Sequence, residues 1–338
     1  MECVAGIDLH SNNNHIGIID NSGKQLANKK TPNDLKYVLQ SLEPFRKDLK
    51  GIVIESTFNW YWIVDGLMDA GYKVHLANPA AIGQYSGLKY SDDSSDALWL
   101  AEMLRLNILP EGYIYPKETR PVRDLLRKRM VLVRHRTALL LSVKGMLSNC
   151  SGITISRNDL KSLSYEDLEQ LLPHPYQVMS AHSLNEVISI LTEQIKKIEK
   201  TVIKEISIKE GFRKLLTVNG IGDILGITIM LETGNISRFE NVGDYSSYCR
   251  QVPSKKISNG KNKGSGNKKN GNRYLAWAYV EASHFMRRYN QKARRWHQKK
   301  TAKSGPIVAT KALGNKIARA CYFIMRDQVV FEPARLFG

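Results

Sequence analysis

Along the first hundred residues the apolar positions switch between two periods. Val4–His10 (VAGIDLH) and His15–Asp20 (HIGIID) are β-branched runs separated by the turn cluster SNNN, and KQLANKK supplies a third strand after the Asn21–Gly23 turn. Helical spacing follows over Asn33–Arg46. GIVIES (51–56) then reads as a buried strand, an aromatic helix is centred on Trp60–Met68, and KVHLANP (73–79) is a strand that stops at a proline. Three meandering strands followed by alternating β and α units predict a mixed sheet covered by helices.

The period changes near Pro116. ETRPVRDLLRKRMVLVRHRTALLLSVKGML is long, basic and helical in spacing. After a polar stretch (Ser151–Glu169), the next apolar seam is Val187, Ile190/Leu191, Ile195, Ile198, Val202 and Ile206. This a/d-like seam predicts two long helices, joined as an antiparallel hairpin or used as a contact between copies of the chain. From about Gly211, KLLTVNGIGDILGITIMLETG predicts helix, G-I-G turn and helix, and two basic helices are expected over roughly 272–300 and 304–326.

Composition narrows the partners. Fifty Lys and Arg against 32 Asp and Glu in 338 residues give a formal charge of +18, which favours a polyanion. No run approaches the length of a membrane-spanning helix, and the start lacks the basic-then-apolar pattern of a signal peptide, so no membrane partner is expected. Cys3, Cys150, Cys249 and Cys321 are scattered without zinc spacing, the usage of a reduced cytoplasmic protein.

Against this background four acids stand out. Asp8 and Glu55 each lie near the end of an apolar strand, where a carboxylate is costly unless a cation or hydrogen bonds meet it. Asp93 and Asp96, in YSDDSSDALWL, share one helix face, although capping that helix is the ordinary role for either. Together such oxygen ligands suit Mg²⁺ or Mn²⁺ and the metal-assisted chemistry of phosphoryl transfer.

The basic features point to nucleic acid. In TVNGIGDI, Gly220 and Gly222 would allow a tight turn to approach a phosphate, as in a helix–hairpin–helix, while Ile221 anchors the turn in the core. The final helices interleave Arg287, Arg288, Arg294 and Arg295 with Phe285, Tyr289 and Trp296. Between these regions runs PSKKISNGKNKGSGNKKNGNRYLAW (253–277), with Lys255, Lys256, Lys261, Lys263, Lys268, Lys269 and Arg273 and no acid up to Arg273. It reads as a linker, a nucleic-acid arm, or a loop carrying chemistry on Ser254, Ser258 or Ser265.

GIDLH, VIES, D-x-x-D-A near residue 95, the NGIG turn and SNGK…KNGNRYLAW, in this order, resemble the DEDD-type insertion-sequence transposases, recombinases related to the pilin-gene invertase. The resemblance implies three domains. These are a ribonuclease-H-like (RuvC-like) catalytic domain over 1–115, a helical coiled coil over 116–208 and a mainly α transposase domain with helix–hairpin–helix over 209–338. It also implies a site-specific DNA recombinase, bacterial and nucleoid-associated when active, with Asp8, Glu55, Asp93 and Asp96 as Mg²⁺ (or Mn²⁺) ligands and Ser258 as nucleophile. A noncoding guide RNA and a homo-oligomer, dimer or tetramer, complete the expectation. The alternative is a RuvC-like Holliday-junction or structure-specific nuclease that uses metal-activated water.

Overall fold

The computed structural model describes residues 1–82, 93–206, 210–253, 257–264 and 270–337. The chain divides into two compact units, Met1–Lys117 and Glu118–Gly338.

The first unit is built on one sheet. Its strands are β1 (Cys3–Leu9), β2 (Asn13–Asp20), β3 (Gln25–Pro32), β4 (Leu49–Glu55) and β5 (Val74–Ala77), in the order β3-β2-β1-β4-β5. The β1–β2–β3 meander is antiparallel, whereas β4 runs parallel to β1, and β5 parallel to β4. Helices α1 (Leu35–Leu42), α2 (Tyr61–Asp69) and α3 (Asp93–Arg105) cover it. Asp34 caps α1 by accepting from the Lys36 amide, and the helix is shorter than the 33–46 pattern because a 3₁₀ turn at Glu43–Phe45, with its proline, ends it.

Strand alternation assigns the two faces. Ala5, Ile7, Ile16, Ile18, Ile52 and Ile54 pack with Val38, Leu42, Ile63 and Leu67 of α1 and α2. Val4, Ile19 and Val53 point the other way, against Leu100, Ala101 and Met103 of α3. That second face carries a cross-strand glycine pair, Gly6 opposite Gly17. A Cβ on Gly6 would lie 2.0 Å from the Ala97 carbonyl oxygen, and one on Gly17 2.8 Å from the Leu98 nitrogen. The pair therefore lets the α3 backbone rest directly on the sheet.

The second unit is helical. Two 32-residue helices, α4 (Arg120–Ser151) and α7 (Pro175–Ile206), are joined through the short α5 (Arg157–Leu160) and α6 (Tyr165–Leu171). They run antiparallel: Arg129 pairs with Glu199 and Arg136 with Thr192, while Leu140 and Leu147 share a core with Ile188 and Val178. The buried seam of α7 is Val178, Ala181, Asn185, Ile188, Ile195, Val202 and Ile206. It agrees with the sequence seam from Ile195 onward and corrects it before that. Val187 and Ile190 are exposed, and the helix begins nine residues before Leu184.

Beyond it lie α8 (Glu210–Leu215), α9 (Asp223–Thr233), α10 (Val242–Tyr248), α11 (Arg273–Tyr289), α12 (Gln291–Ser304), α13 (Pro306–Asp327) and α14 (Pro333–Phe337). Their core centres on Tyr245, Tyr279, Leu275, Leu313 and Cys321, all fully buried. The Tyr245 hydroxyl hydrogen-bonds those of Tyr279 (2.5 Å) and Thr233 (3.0 Å). A two-residue ribbon, β6 (Ile257–Ser258) and β7 (Lys261–Asn262), precedes α11. The cysteines are free thiols, and among the described residues no helix is long and apolar enough to cross a membrane.

Candidate active site and nucleic-acid interface

Strand register places the first two acids. The described β1–β4 ladder ends at Ile7 opposite Ile54, so Asp8 and Glu55 each follow the last pair of adjacent parallel strands. By alternation both share the face of Gly6 and Val53, the face on which α3 lies. The Asp8 and Glu55 carboxyls are within hydrogen-bonding reach of each other, and Asp96, on the first turn of α3, adds its field. Burial, reinforced by Glu55 and Asp96 and opposed by His10, pushes the Asp8 carboxyl from 3.8 up to about 7.

His10, two residues along the same strand face, places Nε2 3.1 Å from Asp8 Oδ2. Its carbonyl accepts from the side-chain amides of Asn33 (2.9 Å) and Asn59 (3.0 Å), which fixes the chain just past the acid. Sequence reasoning missed His10, although the i, i+2 spacing within GIDLH was its signal.

Asp93 is the first residue of α3 but its side chain, like all of Asp92, lies outside the described residues. Among the described residues no group of three or more His, Cys, Asp or Glu side chains is placed to hold a metal ion. The donor set nevertheless fits a hard divalent cation. Two carboxyls this close share either a proton or a cation, and the raised Asp8 pKa reflects burial first, with the charges of Glu55 and Asp96 adding to it.

Ser258 is exposed at the tip of the small ribbon, paired with Lys261. Between them Asn259 (φ 50°) and Gly260 (φ 70°) are both left-handed, as a two-residue I′ hairpin turn requires. Gly260 thus shapes a defined turn. Ser254, Lys255 and Lys256, and Ser265, Lys268 and Lys269, fall outside the described residues, whereas Lys261 and Lys263 are exposed. Arg273 donates to the Tyr274 hydroxyl at 2.9 Å.

The G-I-G turn buries Ile221, as the pattern indicated. Gly220 (φ +92°) turns its bare side to α11, where a Cβ would meet the Met286 nitrogen at 2.5 Å. Gly222, by contrast, has open space and caps α9 without a side-chain bond. Asp223 occupies the first turn beside it, and its carboxylate opposes an anion at that helix end.

The basic helices form a cleft of about 380 Å³ lined by His284, Arg287 and Arg288 of α11 and Arg294, His297 and Gln298 of α12. Among the described residues no carboxylate lines it. Arg294 is partly structural, donating to the Arg287 (3.1 Å) and Arg288 (2.9 Å) carbonyls at the end of α11. Buried His297 bonds Thr310 at 3.0 Å, and burial, with Arg287 and His284 adding, holds its pKa down. Arg295 is exposed.

A mixed five-stranded sheet in this order, flanked by helices and carrying acids at the ends of two adjacent parallel strands, fits the ribonuclease-H-like class. Residues 5–151 match the family model of the IS110-type DEDD transposases, and residues 212–298 match that of the transposase IS116/IS110/IS902 family. The chain belongs to the IS110-type DEDD transposases.

It is 24% identical over 97% of its length to the transposase for insertion sequence element IS1328 of Yersinia enterocolitica, covering 98% of that protein. It is 23% identical over 81% of its length to a probable family 20 transposase of Pseudomonas aeruginosa (82% of that protein). The transposase for insertion sequence element IS1111A of Coxiella burnetii is also 23% identical, over 81% of this chain and 76% of that protein. Among solved structures, T. thermophilus RuvC in complex with Holliday junction substrate matches with a TM-score of 0.25 and 17% identity, over 33% of this chain and all of that one. Membership of this family implies an enzyme that cuts and rejoins DNA, and such enzymes generally use divalent metal ions.

Proposed function

We propose that the chain is the recombinase of an insertion sequence, with Ser258 as nucleophile and Asp8, Glu55, Asp93 and Asp96 as the acids of its metal site. The observation that carries this reading is the meeting of the Asp8 and Glu55 carboxyls on the α3 face, in the field of Asp96. A divalent cation, Mg²⁺ or Mn²⁺, held by these acids would supply positive charge beside a DNA phosphate. In the step itself the Ser258 oxygen forms a bond to phosphorus while the bond to the 3′ oxygen breaks. The hydroxyl proton ends on that leaving oxygen, and the phosphoserine link conserves the bond for rejoining. Lys255, Lys256, Lys261, Lys263, Lys268, Lys269 and Arg273 neutralise strand charge around the serine, and Arg287, Arg288, Arg294 and Arg295 grip phosphates. The coiled-coil region 116–208 joins catalytic domain 1–115 to transposase domain 209–338. A homo-oligomer, dimer or tetramer, brings the serine of one protomer to the acids of another, and a noncoding RNA chooses the sites.

The test incubates protein, labelled DNA spanning the flanks of its own coding region, the transcript of those flanks and Mg²⁺. Wild type is expected to give a covalent protein–DNA adduct, absent with Ser258→Ala and with Glu55→Ala. An adduct that persists in Ser258→Ala would sink the serine assignment. Cleavage without adduct, indifferent to that substitution, would establish the junction-nuclease alternative with water as nucleophile.

A further inference from the structure

Glu232, in the last turn of α9, is 2% exposed, and a carboxylate buried this deeply needs full compensation. It receives three charge-matched or amide donors. Arg127 of α4 approaches side-on, Nε to Oε1 at 2.6 Å and Nη2 to Oε2 at 2.7 Å. The Asn272 side-chain amide reaches Oε2 at 2.7 Å. The other end of that same side chain caps α11, accepting from the amides of Tyr274 (2.8 Å) and Leu275 (3.1 Å). The Arg127 guanidinium also stacks 4.5 Å above the Tyr274 ring. One carboxylate therefore joins the long hairpin, the helix after G-I-G, and the residue from which α11 starts.

That residue is also the stem of the serine segment. The Asn272 amide donates to the Tyr248 carbonyl at 2.6 Å. Arg250, itself left-handed at φ 54°, donates Nε to the Asn270 and Gly271 carbonyls, each at 3.0 Å. Gly271 (φ +84°) has no room for a side chain, since a Cβ would lie 2.5 Å from the Tyr248 carbonyl oxygen. The two ends of the segment bearing Ser258 are thus bonded to each other, and the joint is held through Asn272 by Glu232 and Arg127.

We propose that Glu232 and Arg127 are positioning residues, locking through Asn272 the stem on which Ser258 is carried and tying delivery of the serine to the long helical hairpin; this rests on Ser258 being the nucleophile. A buried ion pair contributes little net stability compared with apolar groups of the same shape, but it fixes orientation when both carboxylate oxygens are hydrogen-bonded, as here. In Glu232→Gln an amide N–H₂ necessarily faces donors, from Arg127 alone or from Arg127 and Asn272 together.

The experiment compares wild type, Glu232→Gln, Ser258→Ala and the exchange Glu232→Gln with Asn272→Asp, which reverses donor and acceptor while keeping the total charge. On the flank DNA described above, Glu232→Gln should cut about tenfold more slowly at saturating DNA, with half-saturation unchanged. Hydrogen exchange at the Asn272, Tyr274 and Leu275 amides should quicken by about tenfold. The exchange variant should recover both. Unchanged amide protection in Glu232→Gln, or a loss of rate accounted for by weaker DNA binding, would overturn the proposal. Ser258→Ala leaves the amides as in wild type. Full activity in it would remove the serine reading, while the amides still decide whether the pair holds the stem.

Discussion

Asp8 behaves in the opposite sense from most protein carboxylates. Its pKa in the folded chain is raised from 3.8 to about 7, so between those values the native state holds a proton that the unfolded state has released. Stability therefore falls as pH rises through this window and levels off above it. Urea melts of metal-free protein from pH 4 to 8 should show this decline, and Asp8→Asn should flatten it; an unchanged slope in that variant would place the titration elsewhere. The same anomaly made Asp8 and Glu55 legible in the sequence, because a carboxyl inside a β-branched run has no ordinary explanation. Ser258 was harder to read. Asn259–Gly260 is a strong hairpin signal, but amid so many lysines and glycines the stretch reads as solvated chain, since its flanks lack the alternating apolar residues that mark strands.

At the scale of elements, α3 depends on two missing side chains. The alternation that sends Ile7 and Ile54 to one face sends Gly6, Asp8, Val53 and Glu55 to the other, and the glycine pair determines how closely the helix bearing Asp96 approaches. Gly6→Ala puts a methyl group against the Ala97 carbonyl, a backbone atom that cannot swing aside. It should cost about 3 kcal/mol or more, with loss of cleavage. Gly51→Ala makes a useful control, because its nearest neighbours are side-chain atoms of His75 at 3.2 Å, and a thermal melt should separate the two. Nothing in the sequence singled out Gly6, since a glycine in a strand also suits a bulge or a bend.

The helical hairpin shows a different limit. Val187–Leu191 offers two adjacent apolar stripes, and period alone does not choose between them. The partner helix chooses Ile188, fully buried, and leaves Val187 44% exposed. Ile188→Ala should cost about 2–5 kcal/mol and Val187→Ala within about 0.5 kcal/mol, read as shifts in the denaturation midpoint.

For the whole molecule, the charge of +18 is not shared. Residues 1–117 carry 11 Lys and Arg against 14 Asp and Glu, while residues 118–338 carry 39 against 18. The unit with the acid cluster is therefore mildly anionic, and nonspecific attraction for a polyanion belongs to the helical unit. Composition alone indicated the polyanion but not this division, which needs the unit boundary. Each cationic side chain that neutralises a phosphate releases a counterion, so binding should weaken steeply with salt. Arg287→Ala and Arg288→Ala, which empty the cleft without touching the Arg294 cap, should each lower the slope of log affinity against log salt by about one. Glu55→Gln lies in the other unit and should leave that slope unchanged in EDTA. Fluorescence anisotropy on a duplex of fixed length, titrated from 50 to about 300 mM NaCl, measures all three. A slope that is indifferent to the two arginines but steepened by Glu55→Gln would place the phosphate grip in the first unit, against the division of charge.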